Sequence, residues 1–385
     1  MIKSLKFLCI SSIVLMFGNI DALQSPSVPQ NESVTVDNNE QDDTDNAGSF
    51  NATQNTFNKT SDESMVETSP NSELKPIVGW NRQFGDSART IKQWGRWMTY
   101  IKMKKPVLMN WINGLKLRIY PGNEVFRSLY VRGVYDPNLN VVANALLPKD
   151  GVFIDAGSNM GYFSLLAVNK VGMDGRIYAI EPSTRDFIRL VDNVNINQLN
   201  EIISCHKLAF SDKIGNAEIT IACEERSGLN SLGLEFGTKG IEKEGKETVE
   251  TITVDAFVER ENIKNVDLLK LDIEGSEFLA LTGAKNTVEK FRPALMIGIK
   301  KTALEACGCT FEQISDWLKS MRYIAYRLVQ NSKEYRLEKV DDLSKANVNV
   351  VFCLHESIVP PALPQPERKT TMQELKDTII DFFTK

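Results

Sequence analysis

Asp155, Gly157, Asn159, Gly161 and Glu181 have types and spacings suited to chemistry on a nucleoside. The first four lie in Val152-Phe-Ile-Asp-Ala-Gly-Ser-Asn-Met-Gly-Tyr-Phe-Ser164, which reads as a buried strand, a glycine turn and a helix start. Glu181 follows Gly161 by twenty residues, at the end of a second apolar run, Arg176–Glu181. Glycines let a backbone approach a ligand closely, and a carboxylate after the next strand can accept hydrogen bonds from ribose hydroxyls.

The dinucleotide pattern G-x-G-x-x-G is missing from this turn. Asp155 stands beside it, and a carboxylate there repels a pyrophosphate but suits an ammonium group. S-adenosylmethionine has an ammonium, a sulfonium and a ribose, and no phosphate. On this reading Asp155 and the turn amides take its methionine end, and Glu181 takes its ribose.

A second cluster is Val266-Asp-Leu-Leu-Lys-Leu-Asp-Ile-Glu-Gly-Ser-Glu277, again an apolar strand (267–272) that empties into a polar turn and a helix. Ligands of open α/β sheets bind at the carboxyl ends of strands, so Asp272 and Glu274 are expected at the same rim as Gly157 and Glu181. Lys270 lies inside the apolar run, where a charge needs a partner; Asp155 and Glu277 are the candidates.

These segments resemble the FkbM family of methyltransferases. The resemblance rests on Ile154–Ser164, Ile180-Glu-Pro182, Ala209-Phe-Ser-Asp-Lys-Ile-Gly215 and Leu269–Glu277, with Gly133–Pro137 upstream, and covers about residues 115–355. It implies a cofactor site of Asp155, Gly157, Asn159, Gly161, Glu181, Ser211, Asp212 and Asp272, and hydroxyl acceptors of small-molecule or glycan type. Two positions depart from the pattern: Ser158 replaces the usual alanine, and Gly298 stands near a frequent glutamate.

The elements that must position these residues follow from periodicity. The expected fold is α/β and Rossmann-like, a mostly parallel seven-stranded sheet with a C-terminal antiparallel hairpin. Helices are expected at about 138–147, 161–171, 184–196 and 311–320. Strands are expected at 152–155, 176–181, about 203–210, 267–272 and 294–299. Tyr323–Val329 and Val348–Leu354 read as the closing hairpin. Ala217–Ala222 and Thr248–Val254 read as an antiparallel pair added to the sheet. The long intervening segment, 223–247, reads as a lid or substrate loop.

The chain ends differ in composition. Residues 1–22 have Lys3 and Lys6 before an apolar run, the pattern of a signal peptide or uncleaved signal anchor, and imply the secretory pathway or export. Residues 25–76 hold ten acids against Lys59 and Lys75 and read as a disordered acidic Asn/Ser/Thr-rich linker; Asn31, Asn51 and Asn58 stand in glycosylation sequons there. Residues 77–135 read as an N-terminal extension, 136–358 as the methyltransferase domain, and 359–385 as a proline-rich linker with an amphipathic helix. The whole chain is at −5, so outside the acidic linker it is near neutral and shows no nucleic-acid footprint. Arg89–Lys105 is locally basic, with Ile91, Trp94, Met98 and Ile101 on one helical stripe. That stripe either packs on the core or makes a peripheral membrane contact. The cysteines show no disulfide spacing and read as free thiols.

The reaction expected is O-methylation from S-adenosylmethionine, with a hydroxyl on a sugar or small molecule as acceptor. Asp272 and Glu274, with Lys270 beside them, are the catalytic candidates. One carboxylate takes the hydroxyl proton, or both ligate a magnesium-like cation. The competing reading is a non-catalytic binding or adaptor protein on the same fold.

Overall fold

A computed structural model describes residues 95–102, 105–120, 122–224, 230–231, 243–330 and 335–364. The expectations for the signal segment, the acidic linker, the sequons and the helix after residue 370 lie outside the described residues. Among the described residues, no helix is long and apolar enough to cross a membrane.

A hairpin, β1 (Val107–Asn110) and β2 (Lys116–Ile119), precedes two helices, α1 (Glu124–Arg132) and α2 (Pro137–Leu146). Asn123 caps α1 by accepting from the amides of Val125 and Phe126, and Gly133 ends it in the left-handed region at φ 85°. The sheet elements follow: β3 (Val152–Ala156), α3 (Tyr162–Val171), β4 (Arg176–Ile180), α4 (Thr184–Ile196) and β5 (Ile203–His206). Then come β6 (Ala209–Phe210), β7 (Gly215–Ala222), β8 (Lys243–Ile252), α5 (Val254–Arg260) and β9 (Leu268–Leu271). The chain continues through α6 (Glu277–Thr282), α7 (Lys285–Phe291), β10 (Ala294–Gly298), α8 (Lys301–Ala306) and α9 (Phe311–Ser320). It closes with β11 (Tyr323–Gln330), β12 (Tyr335–Val340) and β13 (Val350–His355).

The main sheet has eight strands in the order β12-β11-β13-β10-β9-β3-β4-β5. β5, β4, β3, β9 and β10 pair in parallel, and β13, β11 and β12 add antiparallel. Every residue of β9 and β10 is buried, as parallel strands covered on both faces require. The sheet order reverses between β3 and β9, which opens a crevice at their carboxyl ends.

The strands depart from the expected arrangement. The sheet has eight strands rather than seven, because β12 pairs with β11 as an outer edge. The two closing strands are therefore not successive: β12 lies between them in sequence, and β13 inserts between β11 and β10. The run at 203–210 breaks into β5 and β6, and β6 joins β7 and β8 in a separate three-stranded sheet.

The segment before residue 135 shares one core with the sheet. Trp97, Trp111, Leu117, Phe126 and Tyr130 pack in the same cluster as Phe153, Leu165 and Phe352. The helical turn pair at 95–102 buries Trp97, while Met98 and Ile101 are exposed. The face that packs on the core is thus not the stripe expected from the sequence, which carries Met98 and Ile101 outward.

Candidate functional site

The glycine turn between β3 and α3 is held by its own backbone. The amides of Gly157 and Ser158 both donate to Ile180 O at 3.0 Å. The amide of Asn159 donates to Glu181 Oε2 at 3.0 Å, that of Met160 to Asn159 Oδ1 at 2.8 Å, and that of Gly161 to Ser158 O at 2.8 Å. The turn amides expected to hold the methionine end are therefore already committed. Gly157 has φ 72°, and a side chain there would overlap the carbonyl oxygen of Asp272. That contact brings the turn flush against the end of β9.

Asp155 and Lys270 face each other across β3 and β9, with Lys270 Nζ 3.0 Å from Asp155 Oδ1. Lys270 also donates to the carbonyls of Ala156 and Gly157 at 3.1 and 3.2 Å, and Ser164 Oγ donates to Asp155 Oδ2 at 2.6 Å. Asp155 is fully buried and lines none of the described hollows at the rim, so it supports the turn from beneath. Of the two partners expected for Lys270, the structure selects Asp155. Glu277 instead accepts the amides of Ile273 and Gly275, both at 2.9 Å, and burial pushes its carboxyl up to about 8. It braces the turn that carries Asp272 and Glu274.

Three hollows meet at that turn. One of about 560 Å³ runs from Gly157 and Glu181 to Leu208, Phe210 and Ile219, roofed by Asn230 and Ser231. A second, about 820 Å³, is lined by Ser158, Asn159, Tyr162, Lys270, Glu274 and Lys300. A third, about 910 Å³, lies between Tyr135, Asn138, Lys300, Gln330 and Asn349. Asp272 lines all three.

Glu181 accepts the amides of Asn159 and Ser183, one on each oxygen, and retains further lone pairs toward the first hollow. Burial, aided by the nearby Asp186 carboxylate, raises its pKa to about 8. Glu274 pairs with Lys300. Burial raises the Glu274 carboxyl above its ordinary range, against the pull of Lys300. Burial opposes the charge on Lys300, yet Asp272 and Glu274 together hold its pKa above the lysine value. Among the described residues, no group of three or more His, Cys, Asp or Glu side chains could hold a metal ion. Glu274 already faces an ammonium, and a divalent cation beside Lys300 would meet like charge. The pair Asp272 and Glu274 does not fit the magnesium-like site.

Two of the residues implied by the family pattern stand elsewhere. Ser211 and Asp212 lie past Phe210 and outside the three hollows; Asp212 borders a separate depression with Thr253 and Asp255. Gly161 caps α3 at φ 94° and packs against Leu190, a structural position.

Lys300 and Tyr135 were not singled out by the sequence. Lys300 follows β10 and meets Glu274 only because β9 and β10 are neighbours, a proximity no local pattern carries. Tyr135, 43% exposed, packs edge-on against Tyr162, and its amide donates to the Tyr162 hydroxyl at 3.3 Å. Asn230 donates to Asp186 Oδ2 at 2.8 Å, and Ser231 Oγ donates to Glu274 O at 2.7 Å. These two residues of the long loop thus tie α4 to the Asp272–Glu274 turn over the first hollow.

Residues 155–328 match the family described as Methyltransferase FkbM domain. Among curated proteins, the chain is 26% identical over 172 residues to "Hexuronic acid methyltransferase AglP" of Haloferax volcanii, spanning 43% of this chain and 62% of that protein. It is 26% identical over 183 residues to "Methyltransferase sdnD" of Sordaria araneosa, spanning 41% of this chain and 67% of that one. Among solved structures, the FkbM methyltransferase of Methylobacillus flagellatus superposes with a TM-score of 0.34 at 13% identity, over 70% of this chain and 60% of that one. The described sheet and the match over β3 to β11 agree on the same region, and residues 155–328 are an FkbM methyltransferase domain.

Proposed function

We propose that the domain transfers a methyl group from S-adenosylmethionine to a hydroxyl oxygen, and that the acceptor is a sugar. The observation that carries this reading is the position of Asp272. It borders the hollow that ends at Glu181, the hollow at the glycine turn, and the hollow open toward Tyr135. A donor in the first two and an acceptor in the third would meet at its carboxylate.

The residues fit the cofactor. Glu181 has lone pairs to spare for ribose hydroxyls, and Leu208, Phe210 and Ile219 give the same hollow an apolar end. Bound there, S-adenosylmethionine supplies a methyl group already activated by its sulfonium. The chain then has to orient the acceptor and take its proton. Asp272 is the base in this account, because Glu274 is occupied by Lys300. The Lys300 ammonium lies beside both acids, and its own charge is stabilised by Asp272 and Glu274. Tyr135 offers an aromatic face, and Asn138, Gln330 and Asn349 offer amide groups, a lining suited to a ring that carries several hydroxyls. The Haloferax relative's name, a hexuronic acid methyltransferase, supports a sugar acceptor.

Incubating the full chain with labelled S-adenosylmethionine and a glycan extract tests this. The expected product is a methyl ether on a sugar, formed by the native chain and lost on Asp272→Ala. Label on protein or nucleic acid, or turnover unchanged in Asp272→Ala, would overturn it.

A further inference from the structure

Ser158 occupies the glycine turn where alanine would serve the backbone equally well. Its backbone is fully used: the amide donates to Ile180 O at 3.0 Å and the carbonyl accepts from Gly161 at 2.8 Å. Its side chain is not. Among the described residues Ser158 Oγ finds no hydrogen-bond partner, although the residue is only 4% exposed. A buried hydroxyl without a partner is a cost that the smaller alanine would avoid.

The surroundings indicate what the hydroxyl serves. Ser158 lines the hollow of about 820 Å³ together with Lys270, Asp272, Glu274 and Lys300, a wall carrying both signs of charge. The five amides from Gly157 to Gly161 are committed within the protein, so none is left to hold a carboxylate. We infer that Ser158 Oγ donates a hydrogen bond to the carboxylate at the amino-acid end of the bound cofactor. This rests on the reading that S-adenosylmethionine occupies the adjoining hollows. A zwitterionic amino acid matches the wall: Asp272 faces its ammonium, and Ser158 supplies a donor at the turn.

The test compares Ser158→Ala with the native full chain by calorimetry, using S-adenosylhomocysteine and 5′-methylthioadenosine. The second probe keeps the nucleoside and lacks the amino acid. The expected result is an affinity for S-adenosylhomocysteine weaker by about tenfold or more in Ser158→Ala, since a hydrogen bond to a charged group is lost. The affinity for 5′-methylthioadenosine stays unchanged, Ser158→Thr recovers part of the loss, and unliganded Ser158→Ala melts no lower than the native chain. Equal losses for both probes, or no loss for S-adenosylhomocysteine, would overturn the inference. A native chain that binds neither probe would overturn the cofactor reading itself, and the inference with it.

Discussion

Lys270 Nζ lies 3.0 Å from Asp155 Oδ1, and the two residues are register partners on the strands between which the sheet order reverses. The ion pair sits beneath the glycine turn, and Lys270 adds bonds to the carbonyls of Ala156 and Gly157. Removing one partner strands a charge in the core. Lys270→Met is expected to lose about 3–5 kcal/mol of stability in urea denaturation. The double substitution Asp155→Leu with Lys270→Met is expected to recover much of that loss; strictly additive losses would contradict the pairing.

Stability should fall across the neutral range. Burial raises both Glu181 and Glu277 from 4.5 to about 8 in the fold. Between these values the unfolded chain releases protons that the folded chain retains, so ionisation favours unfolding. The stability contributed by the protonated forms is complete below about pH 4.5 and lost as pH rises through 8. Melting temperature measured from pH 5 to 9 is expected to decline, and to decline less steeply in Glu181→Gln. A flat profile in the native chain would count against both burial assignments.

Gly298 leaves room for the proposed base. A methyl group at this position would come within 3.0 Å of Asp272 Oδ1 and of Glu277 Oε1. Gly298→Ala should therefore displace Asp272 and lower kcat by about tenfold or more, the range of a weakened general base. Binding of 5′-methylthioadenosine should change little, because that probe lacks the amino-acid end that Asp272 faces and is held at Glu181. Steady-state kinetics beside calorimetry separates the two effects, and a loss confined to cofactor affinity would contradict this role for Gly298.

Asn230 spans from the amide of Ala222, at 3.0 Å, to Asp186 Oδ2, at 2.8 Å. Asp186 is itself paired with Arg189, which bonds Glu224 at 2.6 Å. Asn230→Ala is expected to loosen the roof over the first hollow and to speed dissociation of S-adenosylhomocysteine in stopped-flow measurements. An unchanged dissociation rate would show that Asn230 serves only the fold.

Much of this architecture was legible where local pattern and tertiary role coincide. The helices at 184–196 and 311–320 stand where periodicity placed them, and the strands around Asp155 and Lys270 announced themselves as short apolar runs. β12 carries no clear strand pattern because Arg336, Glu338 and Lys339 make half of its six residues charged and break the alternation, a composition suited to an outer edge strand. Asp155 was read as a ligand-facing acid, and the structure buries it, because sequence does not show which acid pairs with Lys270. Lys300 carries no local signal for a related reason. Its partner Glu274 is on the neighbouring strand's turn, and that neighbourhood exists only after the sheet forms.

The hollow ending at Glu181 is proposed to bind a sulfur nucleoside, and calorimetric titration of the full chain with S-adenosylhomocysteine tests this most directly. The native chain is expected to bind one equivalent. Glu181→Ala is expected to weaken binding by about tenfold or more, since the ribose loses its hydrogen bonds to the carboxyl group. No heat of binding from the native chain, or an affinity untouched by Glu181→Ala, would contradict the account.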